Sequence, residues 1–335
     1  MILVTGGTGL VGSHLLLHLV DQGHKVRAIH RNESNLASVE KVFGYYSKNA
    51  SQLFAKISWV EADLIDIPAL EIAFKDVTHV YHAAAFISFD PRNYRKLQKI
   101  NIEGTANIIN LSLAHNIEKV CYASTIGAIG KSFGAVKANE ENPWTPLEAN
   151  VYGLTKHSAE TEVWRGSQEG LPIVIVNPGV IIGPGFWHSG SGALFTIANK
   201  GYSFHPPGGT GFVAVKDVVK IMVGLMESDL ENERYIVVAE NWTYKKILTE
   251  ITLVFGIRPP SLELKFWQLE IGRWFDWLKN LIFKSGRRIT RSSIRSLKQR
   301  EIYNNQKVEE TLDFEFTPLQ SVIRFCCIKF KEENQ

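Results

Sequence analysis

Short apolar runs and longer amphipathic segments alternate along the first 180 residues. Runs rich in β-branched residues predict strands at 1–5, 24–30, 57–61, 77–81, 118–123 and 172–177. Apolar positions at helical spacing predict intervening helices that include 10–22, 94–115 and 151–168. This alternation is typical of a parallel sheet with helices on both faces. The pattern therefore predicts an α/β fold built on a doubly wound parallel sheet.

The pattern changes after Pro178. Glycine, proline and aromatic residues crowd the stretches 177–195 and 201–215, and strands no longer alternate regularly with helices. We therefore expect residues 1–180 to form one domain. Residues 181–335 are expected to form mainly a smaller α/β lobe that binds substrate, with some segments returning to the first domain.

A glycine-rich sequence, TGGTGLVG, joins the first predicted strand to the first predicted helix. In a loop that binds a pyrophosphate, one glycine makes the tight turn, one lets the phosphates approach the backbone, and one lets the helix pack on the strand. The N–H groups at the start of the helix then face the negative charge. This context favours a dinucleotide-binding Rossmann domain over a β-turn followed by a buried helix. The residues expected to bind the cofactor are Gly6, Thr8, Gly9, Leu10, Val11 and Gly12.

The end of the second predicted strand indicates which dinucleotide binds. A site selective for NAD usually places a carboxylate there for the ribose hydroxyls, whereas this chain has His30 and Arg31. A guanidinium offers forked donors to the 2′-phosphate of NADP(H). A surface arginine is the alternative, and Glu33 nearby keeps NAD(H) open. We therefore expect NADP(H).

Two further strand ends are candidates for cofactor contacts. Asp63 follows the third predicted strand, where its carboxylate would accept from the adenine amino group while Leu64 covers the ring. Helix capping is the alternative for Asp63. The small residues Ala83, Ala84 and Ala85 end the fourth strand, as backbone close to a ribose or nicotinamide requires. The end of a core strand explains them nearly as well.

Tyr152 and Lys156 lie four residues apart in a predicted helix, so both side chains lie on one face. A nearby ammonium lowers the pKa of a phenol, which is about 10 in isolation, and this pairing makes a general acid or base. A surface pair is the alternative for an isolated motif. Ser124 and Thr125 end the fifth strand, at the sheet edge where such folds bind ligands. We expect Thr125 to donate to the substrate oxygen that Tyr152 protonates.

Together these motifs resemble the extended short-chain dehydrogenases/reductases of the NAD-dependent epimerase/dehydratase superfamily, in that family's order and over nearly the whole chain. They are TGGTGLVG (5–12), ADL (62–64), HAAA (82–85), NIEGT (101–105), the Ser124–Thr125 pair, Tyr152-x-x-x-Lys156, NPGVIIGPG (177–185) and FVAVKDVV (212–219). The chain looks most like the dihydroflavonol-reductase-like and hydroxysteroid-dehydrogenase-like branch.

The resemblance implies a role for each reaction residue. Thr125 orients the substrate oxygen, and Tyr152 is the acid or base. Lys156 binds the nicotinamide ribose and lowers the tyrosine pKa. Asn101 supports a proton relay through water. The further residues implied are Pro178, Gly179 and Val180 for the cofactor, and Phe86, Ser88, Trp187 and His188 for the substrate.

The expected activity is NADP(H)-dependent interconversion of a carbonyl and a secondary alcohol on a small organic substrate. Sugar-nucleotide 4,6-dehydratases usually carry Asp-Glu straight after the threonine, where this chain has Ile126 and Gly127. This difference disfavours the elimination reaction of a dehydratase. An NAD-retaining nucleotide-sugar epimerase and a non-catalytic dinucleotide-binding sensor stay as alternatives. The family commonly pairs the helices near 94–115 and 151–168 between two subunits, so we expect a homodimer.

Composition and charge argue against several other classes. Lys and Arg total 37 against 34 Asp and Glu over 335 residues, and a net charge of +3 gives no reason to expect nucleic acid. No apolar run of about 18 residues predicts a membrane span, and no motif predicts a metal site. We expect no leader segment and a cytoplasmic location. Cys121, Cys326 and Cys327 lack disulfide or metal-ligand spacing and are expected in the core.

A tryptophan-rich amphipathic segment, FWQLEIGRWFDWLKNLIF, occupies 266–283 and is followed by Lys284, Arg287 and Arg288. This composition fits a lid helix whose aromatic face covers an apolar substrate. It also fits weak contact with a membrane surface over 266–288. The lid is favoured because the segment lies in the lobe expected to close the site.

Overall fold

The computed structural model describes residues 1–32, 34–131, 137–283 and 291–334. Its strands are β1 (Ile2–Thr5), β2 (Val26–His30), β3 (Ser58–Glu61), β4 (His79–His82), β5 (Lys119–Ala123), β6 (Ile173–Pro178), β7 (Val180–Ile182), β8 (Phe204–His205), β9 (Gly209–Ala214), β10 (Glu233–Val237), β11 (Glu240–Thr243) and β12 (Leu262–Glu263).

The α-helices are α1 (Leu10–Asp21), α2 (Leu36–Gly44), α3 (Ala50–Phe54), α4 (Ile67–Phe74), α5 (Tyr94–Leu97), α6 (Gly104–Ala114), α7 (Val151–Gln168), α8 (Ala193–Asn199), α9 (Val215–Glu227), α10 (Tyr244–Phe255), α11 (Phe266–Phe283), α12 (Arg291–Lys298), α13 (Gln306–Leu312) and α14 (Leu319–Asn334). A π-helical turn (Gln98–Glu103) joins α5 to α6, and short 3₁₀ turns include Ile126–Ala128.

Seven strands form one parallel sheet in the order β10-β6-β5-β4-β1-β2-β3, which confirms the predicted doubly wound α/β fold. The chain runs from β1 outward to β3, then returns to the other side of β1 and runs outward again to β6. The order therefore reverses between β1 and β4. Open α/β sheets bind ligands in the crevice at the carboxyl ends of the strands, at this reversal.

Both faces of the parallel sheet are buried. In β1, Leu3 and Val4 point to opposite faces, and each is fully buried in a different apolar layer. This arrangement explains why the strands read as continuous apolar runs, because a strand covered on both faces has no solvent side. The two layers hold the loops at the strand ends on a rigid support.

The predicted helix over 94–115 differs from the observed structure. It is divided into α5, the π-helical turn and α6. Within the π-helical turn the side chain of Asn101 is buried and hydrogen-bonded to Phe86 and Thr155. Such wide turns recur at functional sites.

The later part of the chain builds a second apolar core beside the sheet. A three-stranded sheet in the order β11-β9-β7 packs with α8, α10 and α14. Strand β10 joins the edge of the parallel sheet beside β6. Cys121, Cys326 and Cys327 are all buried, as expected from their apolar context. The domain boundary at residue 180 stays a prediction.

Two features are absent from the described residues. Over these ranges, no helix combines the length and the apolar character that a bilayer crossing requires. In the same part of the chain, no group of three His, Cys, Asp or Glu side chains is arranged to hold a metal ion.

Candidate active site

The glycine-rich loop after β1 has the shape that a pyrophosphate requires. Gly6 has a φ of +73°, and a Cβ there would lie 2.6 Å from the backbone nitrogen of Ala84. A Cβ at Gly12 would collide with the Gly6 carbonyl oxygen. Gly9 is different, because the nearest atom to its Cβ position is 3.5 Å away. Helix α1 then begins at Leu10 without a side-chain cap, so a cofactor pyrophosphate fits at this end.

At the end of β2, Arg31 is exposed and its backbone forms a tight turn. The Arg31 N–H donates to the hydroxyl of Ser34 at 3.0 Å, and the Ser34 N–H donates to the Arg31 carbonyl at 2.9 Å. This turn projects from the carboxyl edge of the sheet, next to the strand that carries the glycine loop. Glu33, the residue that kept NAD(H) open, lies outside the described residues.

The structure removes the alternative role of Asp63 as a helix cap. Helix α4 is capped by Asp66, whose carboxylate accepts from the Ala69 N–H at 3.1 Å. Asp63 instead accepts from the Ile65 N–H at 3.1 Å within its own loop. Leu64 is buried against Gly104 of α6, so its predicted contact with the adenine ring stays a prediction.

The alanine loop after β4 is attached directly to β1. The Ala83 N–H donates to the Thr5 carbonyl, and the Ala84 N–H donates to the Thr5 hydroxyl, each at 3.3 Å. Ala83, Ala84 and Ala85 are partly exposed. Small, partly exposed residues beside Gly6 leave room for a ligand over the crevice, which supports the predicted cofactor contact.

Tyr152 and Lys156 both lie in the first two turns of α7. The helix is capped by Asn150, whose side chain accepts from the Gly153 N–H at 2.8 Å. Lys156 is buried, and its ammonium donates to the Tyr122 hydroxyl at 2.6 Å and to the Ala123 carbonyl at 2.8 Å. The ammonium also lies 4.1 Å from the centre of the Tyr122 ring. Tyr122 and Ala123 therefore fix the position of the lysine.

Burial shifts the pKa values of both side chains of the pair. Burial lowers the pKa of Lys156 to about 7, opposed by the negative charge of Glu160. Burial raises the pKa of Tyr152 to about 12. In this structure the ammonium points at Tyr122 and Ala123, so the lowering of the tyrosine pKa by the lysine stays a prediction. Tyr152 is a protonated donor at neutral pH.

The two candidate hydroxyls after β5 have different environments. The Ser124 hydroxyl is buried and donates to the carboxylate of Glu160 at 2.6 Å. The Thr125 hydroxyl is partly exposed and accepts from the Gly127 N–H at 3.2 Å. An acceptor role leaves the Thr125 proton available to donate to another oxygen. The geometry therefore supports Thr125 over Ser124 as the hydroxyl that faces a substrate.

Glu160 organises the underside of the Thr125 turn. Its carboxylate accepts from Ser124, from the Asn177 amide at 3.0 Å and from the Arg234 guanidinium at 3.2 Å. The Asn177 amide also donates to the Thr125 carbonyl at 3.0 Å. This buried carboxylate thus has three donors, which connect β5, β6, β10 and α7 beneath the site.

Asn101 has a structural partner for both ends of its amide. Its oxygen accepts from the Phe86 N–H at 2.7 Å, and its nitrogen donates to the Phe86 carbonyl at 3.0 Å and to the Thr155 hydroxyl at 3.2 Å. The side chain therefore fixes the loop after Ala85 against α7. The predicted role in a proton relay stays a prediction, whereas the positioning of Phe86 is observed.

A buried chain of hydrogen bonds connects Lys156 to the loops of the crevice. The Thr105 hydroxyl donates to the Asn101 carbonyl at 2.6 Å, so its oxygen accepts from His82 Nε2, 2.9 Å away. The Tyr122 hydroxyl is also hydrogen-bonded to Thr105. His82 Nδ1 is then unprotonated and accepts from the Thr5 hydroxyl at 2.6 Å. Burial lowers the pKa of His82 to about 3, which keeps it neutral.

Of the four residues predicted to contact substrate, three are at least partly exposed and one is buried in the second core. Phe86 is partly exposed under the ammonium of Lys96, at 4.7 Å, and Ser88 accepts from the Asn93 side chain at 2.9 Å. His188 is exposed. Trp187 was expected to contact substrate, but it packs in the second core, 5.4 Å from Phe195 between ring centres. Because Trp187 is buried in that core, the structure corrects the expectation that it contacts substrate.

The residues predicted to contact the cofactor after β6 lie at the same sheet edge. Pro178 ends β6, and the Gly179 N–H donates to the carbonyl of Val237 in β10 at 3.1 Å. Val180 begins β7 and pairs with Phe212 in β9. This stretch therefore connects the parallel sheet to the second core beside the Thr125 turn.

Sequence reasoning missed several residues of the site. Phe89 lies edge to face with Tyr152, 5.8 Å between ring centres. Glu160 lies four residues after Lys156 on the same face of α7, and Tyr122 lies two residues before Ser124 on the same face of β5. Helical and strand periodicity could therefore have indicated both. Nothing in the local sequence indicates that His82 contacts Thr105.

Comparison with known proteins agrees with this geometry. The model of the NAD-dependent epimerase/dehydratase family matches residues 2–239. Sterol demethylase protein B of Methylococcus capsulatus is 31% identical over 271 residues, covering 78% of this chain and 76% of that protein. A putative dihydroflavonol 4-reductase of Synechocystis is 28% identical over 289 residues, covering 83% and 78%.

Solved structures share the fold. The UDP-glucose 4-epimerase of Thermotoga maritima, solved with UDP-glucose, has a TM-score of 0.77 at 20% identity and covers 100% of this chain and 99% of its own. The family model confirms the resemblance seen in the motifs, and the solved structure shows the shared fold. The chain belongs to the NAD-dependent epimerase/dehydratase family, whose enzymes bind nicotinamide dinucleotide cofactors.

Proposed function

We propose that this chain is an NADP(H)-dependent oxidoreductase that interconverts a carbonyl and a secondary alcohol on a small organic substrate. The observation that carries the proposal is the arrangement of the reaction residues after β5 and in α7. Helix α7, which carries Tyr152 and the buried, fixed Lys156, packs on the turn that follows Thr125, whose hydroxyl has an available proton. These groups share one sheet edge with the glycine loop.

The chemistry requires a proton donor at one oxygen. When bound, the nicotinamide supplies a hydride to the carbonyl carbon or takes one from the alcohol. As negative charge grows on the carbonyl oxygen, Thr125 donates a hydrogen bond and Tyr152 transfers its proton. Lys156 contributes positive charge and would hold the ribose of the bound cofactor. The reverse direction uses the same groups, with Tyr152 taking the proton back.

The preference for NADP(H) rests on Arg31. Its exposed side chain stands at the end of β2, where a carboxylate would select NAD, and a guanidinium suits a phosphate dianion. Replacing Arg31 with Asp should weaken NADPH about 10- to 100-fold and spare NADH, since a hydrogen bond to a charged group contributes about 1.5–3 kcal/mol. Fluorescence titration of both cofactors measures the change. Equal loss of both would contradict the assignment, and the exposed Arg95→Asp variant is the control.

The activity itself is tested by turnover of a carbonyl panel. The purified chain is mixed with NADPH and with aliphatic and aromatic ketones and aldehydes, and oxidation of NADPH is followed by absorbance. We expect turnover with at least one carbonyl and release of the oxidised cofactor. Tightly retained NAD together with interconversion of nucleotide sugars would instead identify an epimerase.

We also propose that the active chain is a homodimer built through α6 and α7. Leu113 of α6 and Trp164 of α7 are only partly buried by the apolar layer beneath them, which leaves part of each side chain for a partner. Light scattering should give twice the chain mass of 37.7 kDa. A mass of one chain at micromolar concentration would contradict the proposal.

A further inference from the structure

A group of large apolar side chains is exposed on the later part of the chain, and we call it the aromatic surface. All of its members are between 44% and 60% exposed, whereas large apolar side chains normally lie in the core. They are Tyr202, Phe204, Leu262, Phe266, Trp267, Ile271 and Trp274.

The members of the aromatic surface are neighbours in the fold. Phe204 in β8 pairs with Leu262 in β12, and α11 begins four residues later. Trp267, Ile271 and Trp274 follow at spacings of four and three residues, so they form one stripe along α11. Leu269, on another side of the helix, is buried. Helix α11 therefore packs through one face and presents aromatic rings on another.

The segment that carries most of the aromatic surface is rich in positive charge. Residues 265–300 contain ten Lys and Arg but two Asp and Glu, a net charge of +8 in a chain of net charge +3. Lys265, Arg295 and Lys298 are exposed among them. The ammonium of Lys298 lies 4.1 Å from the centre of the Phe266 ring, so a positive charge lies directly against the aromatic surface.

This combination favours a lipid surface over a protein partner. The core of a protein interface is depleted of charged residues, whereas interfacial helices combine Trp and Phe with a basic flank. Tryptophan and tyrosine are enriched at the interface between the hydrocarbon core and the lipid headgroups. Anionic headgroups attract the excess positive charge of this segment. We propose that the aromatic surface docks this chain on an anionic lipid bilayer, with Trp267 and Trp274 inserted at headgroup level.

Helix α11 also lies near the loop that follows the alanine loop. Asp90 in that loop holds a salt bridge to Arg92 at 2.6 Å, and Asp276 of α11 acts on the same arginine. Asp276 lies on the side of α11 opposite Trp267 and Trp274, so the docking face and this loop lie on opposite sides of the helix. The docking proposal does not rest on the proposed function.

The test is co-sedimentation of the full chain with vesicles. Phosphatidylcholine vesicles containing phosphatidylglycerol are compared with vesicles of phosphatidylcholine alone, at low and high salt. We expect binding to the anionic vesicles, weakened by salt. The Trp267→Gln/Trp274→Gln variant should lose at least about tenfold in partition coefficient, because each tryptophan buries a large apolar area on insertion.

A matched control and a fold check accompany this variant. Ile72 of α4 is 66% exposed on the other part of the molecule, and Ile72→Gln should bind vesicles like the parent. NADPH affinity of the double variant should equal that of the parent, which shows that the chain is folded. This cofactor measurement also separates failure of docking from failure of the proposed function.

Three outcomes would overturn the docking proposal. The first is no binding to anionic vesicles, and the second is equal binding by the parent and the double variant. The third is a change of mass in light scattering when the tryptophans are replaced, which would assign the aromatic surface to contact between copies of this chain. If the chain does not bind anionic vesicles and the double variant has a raised substrate KM, the aromatic surface is instead a lid over the substrate.

Discussion

The side chains that carry the proposed chemistry in the crevice are buried, whereas those that carry the proposed docking on the aromatic surface are exposed. In the crevice, Lys156, Ser124 and Asn101 are buried and each has hydrogen-bond partners that fix it. On the aromatic surface, Trp267 and Trp274 are more than half exposed. A reacting group must be held in position before the reaction, whereas a docking group must stay accessible. Burial therefore separates a proposed site of chemistry from a proposed site of contact.

The largest effect that would test this distinction is loss of the tyrosine proton. Tyr152→Phe keeps the ring that packs on Phe89 but removes the donor. Turnover should fall about 100- to 10,000-fold with NADPH affinity unchanged, because a positioned acid contributes in that range. Steady-state kinetics and cofactor titration measure the two quantities. Near-normal turnover would remove Tyr152 from the mechanism, and Tyr94→Phe, which changes a 39% exposed tyrosine, serves as the control.

The second comparison is between the two neighbouring hydroxyls. Thr125→Val should lower turnover about 100-fold with little change in stability, because it removes one donor to the developing charge. Ser124→Ala should lower the free energy of unfolding by about 1.5–3 kcal/mol with a milder effect on turnover, since it removes a buried donor to Glu160. Kinetics and denaturant unfolding of both variants decide. A Ser124→Ala enzyme with the greater loss of turnover would exchange the two roles.

The third prediction concerns Tyr122 as a positioning residue for Lys156. Tyr122→Phe keeps the ring beneath the ammonium but removes the oxygen that accepts from it at 2.6 Å. We expect KM for NADPH to rise about tenfold, since a hydrogen bond to a charged group is lost. Without that acceptor the lysine pKa falls below about 7, so the decline of reduction rate with rising pH should begin at lower pH.

A purely structural role would change stability but not this pH profile. Tyr81→Phe is the matched control, because Tyr81 is equally buried in the neighbouring strand β4 but faces the opposite apolar layer. Its pH profile should equal that of the parent. An unshifted profile for Tyr122→Phe would remove the positioning role.

The same comparison shows what local sequence can and cannot predict. The glycine loop and the strands were predictable, because a turn that only glycine adopts and a two-sided apolar strand leave local signatures. The contacts of Lys156 were not, since Tyr122 is 34 residues away and meets it only when β5 packs on α7. The aromatic surface was predicted in part, because Trp267 and Trp274 are in one segment. Phe204 joins it only through strand pairing with Leu262.

Part of the acid sensitivity should come from the crevice, in addition to buried His14 of α1, whose pKa burial lowers to about 4. Burial lowers the pKa of His82 from 6.5 to about 3, so below pH 6.5 the unfolded chain binds a proton that the folded chain does not. The free energy of unfolding should therefore fall as pH decreases from 6.5 toward 3, by up to about 1.4 kcal/mol per pH unit from this group. Denaturant unfolding at several pH values measures the slope. His82→Asn should reduce this slope by the His82 contribution, and the exposed His188→Asn should leave the slope unchanged.

The smallest effect is expected at Trp187, which tests its reassignment from substrate contact to second core. Among the described residues, its indole nitrogen is one of the buried polar atoms without a hydrogen-bond partner. Trp187→Phe removes that unpaired N–H, which favours the variant, and leaves a small cavity beside Phe195 and Phe330, which opposes it. The two contributions are similar in size, so the free energy of unfolding should change by less than about 1 kcal/mol, with kcat and KM unchanged. A selective rise in substrate KM at unchanged stability would instead return Trp187 to the substrate site and extend the crevice into the second core.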